Sequence, residues 1–127
     1  MSAERAPATR VGEYLLDALR RRDYVDIASC FSGDAEMRSV VPPGVREDAG
    51  PDAIAARFRL WTEPLESYEV VDSDADAVAD VLRVRWAIRG VDPEIGLCIF
   101  EQTAYAEVAD GHITKLRLAC SGDRPLS

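Results

Sequence analysis

The sequence has few cysteines and a single histidine, which narrows the chemistry open to it. Cys30, Cys98 and Cys120 form no Cys-x-x-Cys pair, and the one histidine is His112. These residues match neither a zinc-site spacing nor a disulfide framework. We therefore expect reduced thiols, no metal and no other cofactor.

Long apolar runs and excess positive charge are also missing. No stretch approaches the roughly 20 apolar residues that cross a bilayer, and the first ten residues do not resemble a signal peptide. The formal net charge of −8 argues against nucleic-acid or anionic-membrane partners, because both require a cationic surface. We expect a cytoplasmic protein with a flexible tail at residues 1–10 and one domain at residues 11–127.

Apolar spacing predicts three helices in the first half of the chain. Asp23 is suited to cap the short middle helix, and Pro51 is suited to the first turn of the third. The positions that recur at helical spacing are Val11, Leu15 and Leu19 in the first helix, and Ile54, Phe58 and Trp61 in the third.

Alternating apolar residues predict strands in the second half. The clearest run is residues 82–89, and residues 97–108 and 112–120 are joined by Asp110-Gly111, a strong signal for a two-residue hairpin turn. Residues 35–41 and 65–72 complete the strands, and residues 45–50 are expected to form a polar loop. Helices mostly before strands indicate an α+β domain.

Counting back from the Asp110-Gly111 turn predicts which side chains share a face. A regular ladder pairs Tyr105 with Leu116, Thr103 with Leu118, and Glu101 with Cys120. The leucines indicate a buried face, so Glu101 would point inward. The opposite face is also apolar and predicts a homodimer surface; it holds Phe100, Gln102, Ala104, Ala106 and Val108. A slip of one residue would exchange the two faces.

Several segments together resemble a known superfamily over nearly the whole chain. They are residues 13–19 (EYLLDAL), Asp23 with Ile27 and Phe31, residues 33–37 (GDAEM), residues 50–54 (GPDAI) and residues 110–113 (DGHI). This pattern resembles the nuclear transport factor 2-like superfamily, and within it the SnoaL-like polyketide cyclases and ketosteroid isomerases. The resemblance implies a cone-shaped roll, in which a strongly curved antiparallel sheet wraps around three helices.

The resemblance also implies two candidate catalytic residues. Tyr14 matches the helix tyrosine of the isomerases, and Glu101 falls near their acidic residue. An apolar pocket would raise the pKa of Glu101, because burial disfavours the charged form. Where the isomerases carry an aspartate base, this chain has Arg38-Ser39-Val40, so we do not expect ketosteroid isomerisation.

These considerations define an expected pocket and two kinds of function. The pocket-lining residues are expected to be Met37, Ser39, Phe58, Trp61, Trp86, Thr103, Tyr105, Leu118 and Cys120. An apolar small molecule would fill it, either bound without catalysis or converted by cofactor-independent acid–base chemistry of the cyclase, isomerase or dehydratase type. The alternative is a dimeric interaction or accessory module without catalysis.

Charged residues outside the pocket have simpler interpretations. Arg83, Arg85 and Arg89 indicate a surface face matched by acidic residues of the strand before it. Arg46 follows the Pro42-Pro43-Gly44 turn, where it is either a plain surface residue or a side chain at the pocket mouth. Residues 72–76 (DSDAD) are similar to the start of a calcium loop, but Ala77 and Arg83 occupy the positions that require glycine and glutamate.

Overall fold

The computed structural model describes residues 6–42 and 44–126 as three helices and a seven-stranded sheet. The helices are α1 (Ala6–Arg21), α2 (Tyr24–Ser29) and α3 (Pro51–Thr62). The strands are β1 (Phe31–Val41), β2 (Gly44–Ala49), β3 (Glu66–Val78), β4 (Val81–Asp92), β5 (Gly96–Ala109), β6 (His112–Cys120) and β7 (Arg124–Pro125). The predicted α+β class is confirmed, with β2 and β7 as additional strands.

The helix starts follow from local capping chemistry. The backbone N–H of Asp26 donates to the side chain of Asp23 at 3.0 Å, which satisfies a free donor in the first turn of α2. Pro51 begins α3, where its missing N–H leaves no hydrogen bond unmade. Residues 6–10 of the predicted flexible tail belong to α1, and residues 1–5 lie outside the described residues.

The sheet runs in the order β2-β1-β6-β5-β4-β3 and is antiparallel except where β1 pairs with β6. The edge strand β2 replaces the loop predicted for residues 45–50. Its side chains are mostly exposed and charged, so no apolar alternation marks it in the sequence. At the other edge, β3 continues past its predicted end at Asp72 to Val78.

A one-residue bulge in β6 separates the observed register from the predicted one. The turn at Asp110 and Gly111 is as predicted, with positive φ angles of 53° and 76° that suit a tight hairpin. Val108 then pairs with Ile113, but Glu107 pairs with Lys115, so Thr114 between them has no opposite residue. Every pair farther from the turn is displaced by one residue.

Because of the bulge, the side chains of β5 beyond it lie on the faces opposite to those that a regular ladder predicts. Gln102, and not Glu101, lies opposite Cys120. The buried inner face of β5 holds Cys98, Phe100, Gln102, Ala104 and Ala106. The prediction that this face lies outside and contacts a second subunit is therefore wrong, and so is the prediction that Glu101, Thr103 and Tyr105 face inward.

The core fills the concave side of the sheet. Helix α1 packs on β3 and β4, and α3 packs on β1 and β2. The large side chains that are fully buried there include Leu15, Leu19, Ile27, Ile54, Phe58, Trp86, Ile88 and Leu116. Within the described residues, no helix has the length and apolar character needed to cross a bilayer.

The convex face of β3 and β4 carries an ion-pair ladder formed by Asp72, Asp74, Asp76, Arg83 and Arg85. Arg83 binds Asp76 at 3.0 Å and Asp74 at 3.4 Å, and Arg85 binds Asp72 at 2.9 Å and Asp74 at 3.2 Å. This arrangement confirms that these arginines form a surface face. It also explains the acidic alternation in residues 72–76, which belong to a strand and not to a calcium loop.

Candidate ligand-binding site

The structure does not bring the two candidate catalytic residues together. Glu101 is exposed on the outer face, where Nη2 of Arg124 donates to its Oε2 at 3.0 Å. Tyr14 is 46% exposed and lines a surface groove of about 290 Å³ beside Gly111. Glu101 and Gly111 lie near opposite ends of the β5–β6 hairpin, about 30 Å apart along the strand.

The expected buried acid is also absent from the described residues. Thr103 and Tyr105 lie on the outer face with Glu101, because the bulge shifts the register of all three by one residue. The prediction of Glu101 as a buried acid is therefore wrong. Within residues 9–42 and 44–126, the buried polar side chains are those of Ser39, Thr62 and Gln102, and none is a carboxylate.

The other predicted pocket residues do share the inner side of the molecule. Met37, Ser39, Phe58, Trp86 and Leu118 are buried there, and Trp61 and Cys120 are half-buried. The strand registers give their order across the sheet. Ser39 on β1 lies beside Leu118 on β6, and Gln102 on β5 lies between Trp86 and Cys120 on its two neighbouring strands.

Trp86 fixes the orientation of the Gln102 amide. Its Nε1–H donates to Oε1 of Gln102 at 2.7 Å, and both side chains are buried. With the carbonyl oxygen engaged, the amide nitrogen Nε2 is the end that remains available, and it has no hydrogen-bond partner within the described structure. The buried hydroxyl Oγ of Ser39 also has none.

Two unpaired polar groups are a substantial cost in a domain of this size. Leaving a buried donor or acceptor unsatisfied costs about 1–3 kcal/mol, so such groups are rare in folded proteins. By contrast, the hydroxyl of Thr62 hydrogen-bonds both Tyr24 and the carbonyl of Phe58. The two unpaired groups lie on the inner face of the sheet, on strands β1 and β5 that are separated by β6.

Aromatic rings form the apolar part of the same region. The ring centroid of Phe58 lies 5.3 Å from that of Trp61 and 5.9 Å from that of Trp86. We call Ser39, Phe58, Trp61, Trp86 and Gln102 the interior site. It combines an aromatic cluster with two hydrogen-bonding groups that lack partners within the described structure.

Burial raises the pKa of two of the thiols, Cys30 and Cys98. Burial raises the pKa of Cys30 to about 12, with Asp26 adding to the effect, so this thiol stays protonated at neutral pH. Cys120 accepts a hydrogen bond from the backbone N–H of Gly122 at 3.4 Å. In the part of the chain that the structure describes, no group of three or more His, Cys, Asp or Glu side chains is placed to hold a metal ion.

Surface grooves lie apart from the interior site. A groove of about 590 Å³ is lined by charged residues of β1, β2 and β6, among them Arg38, Glu47 and Arg117. Another, of about 500 Å³, lies between the ends of α1 and α3. None of these grooves is lined by a residue of the interior site, whose member Trp61 is half-buried.

Gln102 is the residue that the sequence analysis missed. A regular hairpin ladder predicts the outer face of β5 for Gln102, where water would satisfy its amide. Its signal is its position as a single polar residue among Phe100, Ala104 and Ala106 at the same strand spacing. On the inner face, that position requires a partner or a ligand.

Comparison with solved structures establishes the fold. A LEH-like epoxide hydrolase from M. tuberculosis matches with a TM-score of 0.71 and 21% identity, covering 93% of this chain and 85% of that one. A candidate polyketide cyclase from Xanthomonas campestris matches with a TM-score of 0.72 and 18% identity, covering 92% of each chain. A nuclear transport factor 2-like protein from Burkholderia xenovorans matches with a TM-score of 0.69 and 12% identity, covering 92% and 91%.

These likenesses show what the chain shares with the three proteins. It has the nuclear transport factor 2-like fold, as the sequence resemblance implied. No family model matches the sequence, and no curated protein matches it significantly. At identities this low, the shared architecture does not carry an activity with it.

Proposed function

We propose that the protein binds a small, mostly apolar molecule in the interior site, without acid–base catalysis of its own. The observation that carries this proposal is the Gln102 amide, which Trp86 holds with its NH₂ group unpaired in an apolar interior. An NH₂ group only donates hydrogen bonds, so the ligand must present an acceptor. A neutral carbonyl group has that chemistry and can enter an apolar interior at low cost.

Binding is favoured over catalysis because the buried polar side chains of the described interior include no carboxylate and no imidazole. A positioned general acid or base typically contributes about a hundred- to ten-thousand-fold to a rate. The buried polar side chains, Ser39, Thr62 and Gln102, are hydroxyls and an amide. Solved proteins of this fold include those named an epoxide hydrolase and a candidate polyketide cyclase, and these names support a small organic ligand.

The hypothesis of a dimeric interaction module has less support from the structure. It rested on an apolar outer face at Phe100, Ala104 and Ala106, and these residues are buried inside the sheet. The outer face instead carries the ion-pair ladder and exposed residues such as Tyr105. Small-molecule binding is therefore the function with the stronger support.

The test uses the neutral ketone 2-acetonaphthone and the protein's own fluorescence. Trp61 and Trp86 are the two tryptophans of the chain, and both belong to the interior site. We expect 2-acetonaphthone to quench their emission saturably. The substitution Gln102→Leu should weaken binding about three- to tenfold, the range of one neutral hydrogen bond.

Glu101→Gln is the matched control, because it changes the adjacent residue on the opposite face of β5. It should bind the ketone with unaltered affinity. Equal affinity in Gln102→Leu and the unaltered protein would contradict the proposal, and so would the absence of saturable quenching.

A further inference from the structure

Arg46 lies on the same face of the sheet as the interior site. The register of β1 and β2 pairs Arg46 directly with Ser39. Directly paired residues on antiparallel strands project from the same face, with Cβ atoms about 4.5–5.5 Å apart. Since Ser39 is buried on the inner face, Arg46 also leaves β2 on that face, at the open edge of the sheet.

Asp48 independently supports this orientation of β2. It lies two residues beyond Arg46 and therefore on the same face. Its two carboxylate oxygens accept hydrogen bonds from Arg57 of α3, at 3.0 and 3.3 Å. Helix α3 packs on the inner side of β1 and β2. The face of β2 that holds Arg46 and Asp48 is therefore the one that faces the helix.

Helix α3 carries Trp61 over this part of the sheet. It packs on β1 and β2, the strands of Ser39 and Arg46. Trp61 is half-buried and Arg46 is exposed, so both residues are accessible to solvent.

Arg46 lacks an anionic partner in the described part of the chain. Asp48, the acid next to it on this face, is engaged by Arg57, and Glu63 at the end of α3 is paired with Arg59. The arginines that do have carboxylate partners within 4 Å are Arg21, Arg57, Arg59, Arg83, Arg85, Arg89 and Arg124. An exposed guanidinium next to a buried, unpaired hydroxyl is suited to an anion that enters from solvent.

We infer that the ligand of the interior site is amphipathic and carries a single anionic group, a carboxylate or a sulfonate, that Arg46 binds at the mouth. This inference rests on the proposed function and adds the charge of the ligand to it. The anion stays at the edge because the described interior has no cation to compensate a buried charge. The apolar body lies against Phe58 and Trp61, and the acceptor at the other end meets Gln102.

The test compares two probes that differ by one carboxylate, 2-acetonaphthone and 6-acetyl-2-naphthoate. In the unaltered protein, the carboxylate should tighten binding about tenfold, as expected for one charge-assisted hydrogen bond. In Arg46→Gln the two probes should bind alike. Arg38→Gln is the control, since Arg38 lies on the strand next to Arg46 but faces outward, and it should keep the full tenfold difference.

The outcomes separate this inference from the proposed function. If both probes bind through Gln102 but the carboxylate gives no gain, or gives the same gain in Arg46→Gln, the anionic ligand is wrong and the interior site stands. If Gln102→Leu affects neither probe, the proposed function itself fails. A gain that is lost equally in Arg38→Gln and Arg46→Gln would show only nonspecific attraction to surface charge, and it would also overturn the inference.

Discussion

The two faces of β5 use polar residues in opposite ways. On the outer face, Glu101 is paired with Arg124, and its backbone N–H donates to the hydroxyl of Ser121. On the inner face, Gln102 has a partner for its carbonyl oxygen and none for its NH₂ group. Adjacent residues of one strand therefore differ in whether the protein alone satisfies them. Under the proposed function, the unsatisfied residue is the one that meets the ligand.

The same contrast holds for the energetics of the two faces. Exposed ion pairs such as those of the ion-pair ladder contribute little, because water and salt screen them. Unpaired groups in the interior are expensive, because nothing replaces the water they have lost. The outer face thus pairs its charges within the protein, and the proposed ligand would pair the free groups of the inner face.

The largest expected effect on stability comes from truncating one large side chain on each face of β5. Phe100 is 2% exposed and Tyr105 is 49% exposed on the same strand. Phe100→Ala should lower the free energy of unfolding by about 3–5 kcal/mol, because it leaves a cavity in the core. Tyr105→Ala should lower it by less than about 1 kcal/mol. Urea unfolding followed by circular dichroism measures both.

This pair also tests the bulge at Thr114. A regular hairpin would bury Tyr105 and expose Phe100, so it predicts the reverse order of the two effects. A larger loss in Tyr105→Ala than in Phe100→Ala would show that the register described for β5 and β6 is incorrect.

A smaller effect is expected from Ser39→Ala, and its sign is informative. The substitution removes a buried hydroxyl that has no partner, so the free energy of unfolding should rise by up to about 1 kcal/mol. The same change should weaken binding of 6-acetyl-2-naphthoate, because it removes a polar group beside Arg46. Thermal unfolding and fluorescence titration of one preparation measure both. A less stable variant with unchanged affinity would assign Ser39 a structural role only.

The smallest effect is expected in the ion-pair ladder. The hydrogen bond from Arg85 holds the pKa of Asp72 below its ordinary value in the folded protein. Folding therefore favours the ionised carboxylate. The resulting stability is present above the unfolded pKa and is lost as the pH falls through the folded pKa. Asp72→Asn should lower the urea midpoint slightly at neutral pH and not at all in strongly acidic solution.

Asp80→Asn is the control for this measurement. Asp80 is exposed between β3 and β4 and has no ion pair within the described residues. Its substitution removes a carboxylate without removing an ion pair. An Asp72 effect that persists in acid, or that equals the Asp80 effect, would exclude an electrostatic contribution from the ladder.

Much of the fold could be predicted from residue spacing. Helical periodicity located α1 and α3, a capping aspartate located α2, and Asp110-Gly111 located the hairpin turn correctly. The edge strand β2 could not be predicted this way, because its exposed charged residues lack the alternation that burial imposes. Its pairing with β1, and not its own sequence pattern, makes it a strand.

The site was harder to predict because Thr114, which has no opposite residue on β5, changes which β5 side chains face inward. Ile113 and Leu116 are both buried, although they are three residues apart. In a regular strand, residues three apart project from opposite faces, so the odd spacing indicates an extra residue between them. This was the available signal for the bulge at Thr114. Taking it into account would have placed Gln102 inside and Glu101 outside.

The NMR signal of the Gln102 side chain tests directly whether its amide donates to a bound ketone. The chain has one glutamine and no asparagine, so a ¹⁵N-labelled sample gives a single side-chain carboxamide pair. On adding 2-acetonaphthone, we expect a downfield shift of an NH₂ proton and slower exchange with solvent, because the amide then donates to the ketone. A bound ketone that leaves this pair unchanged would contradict the interior site.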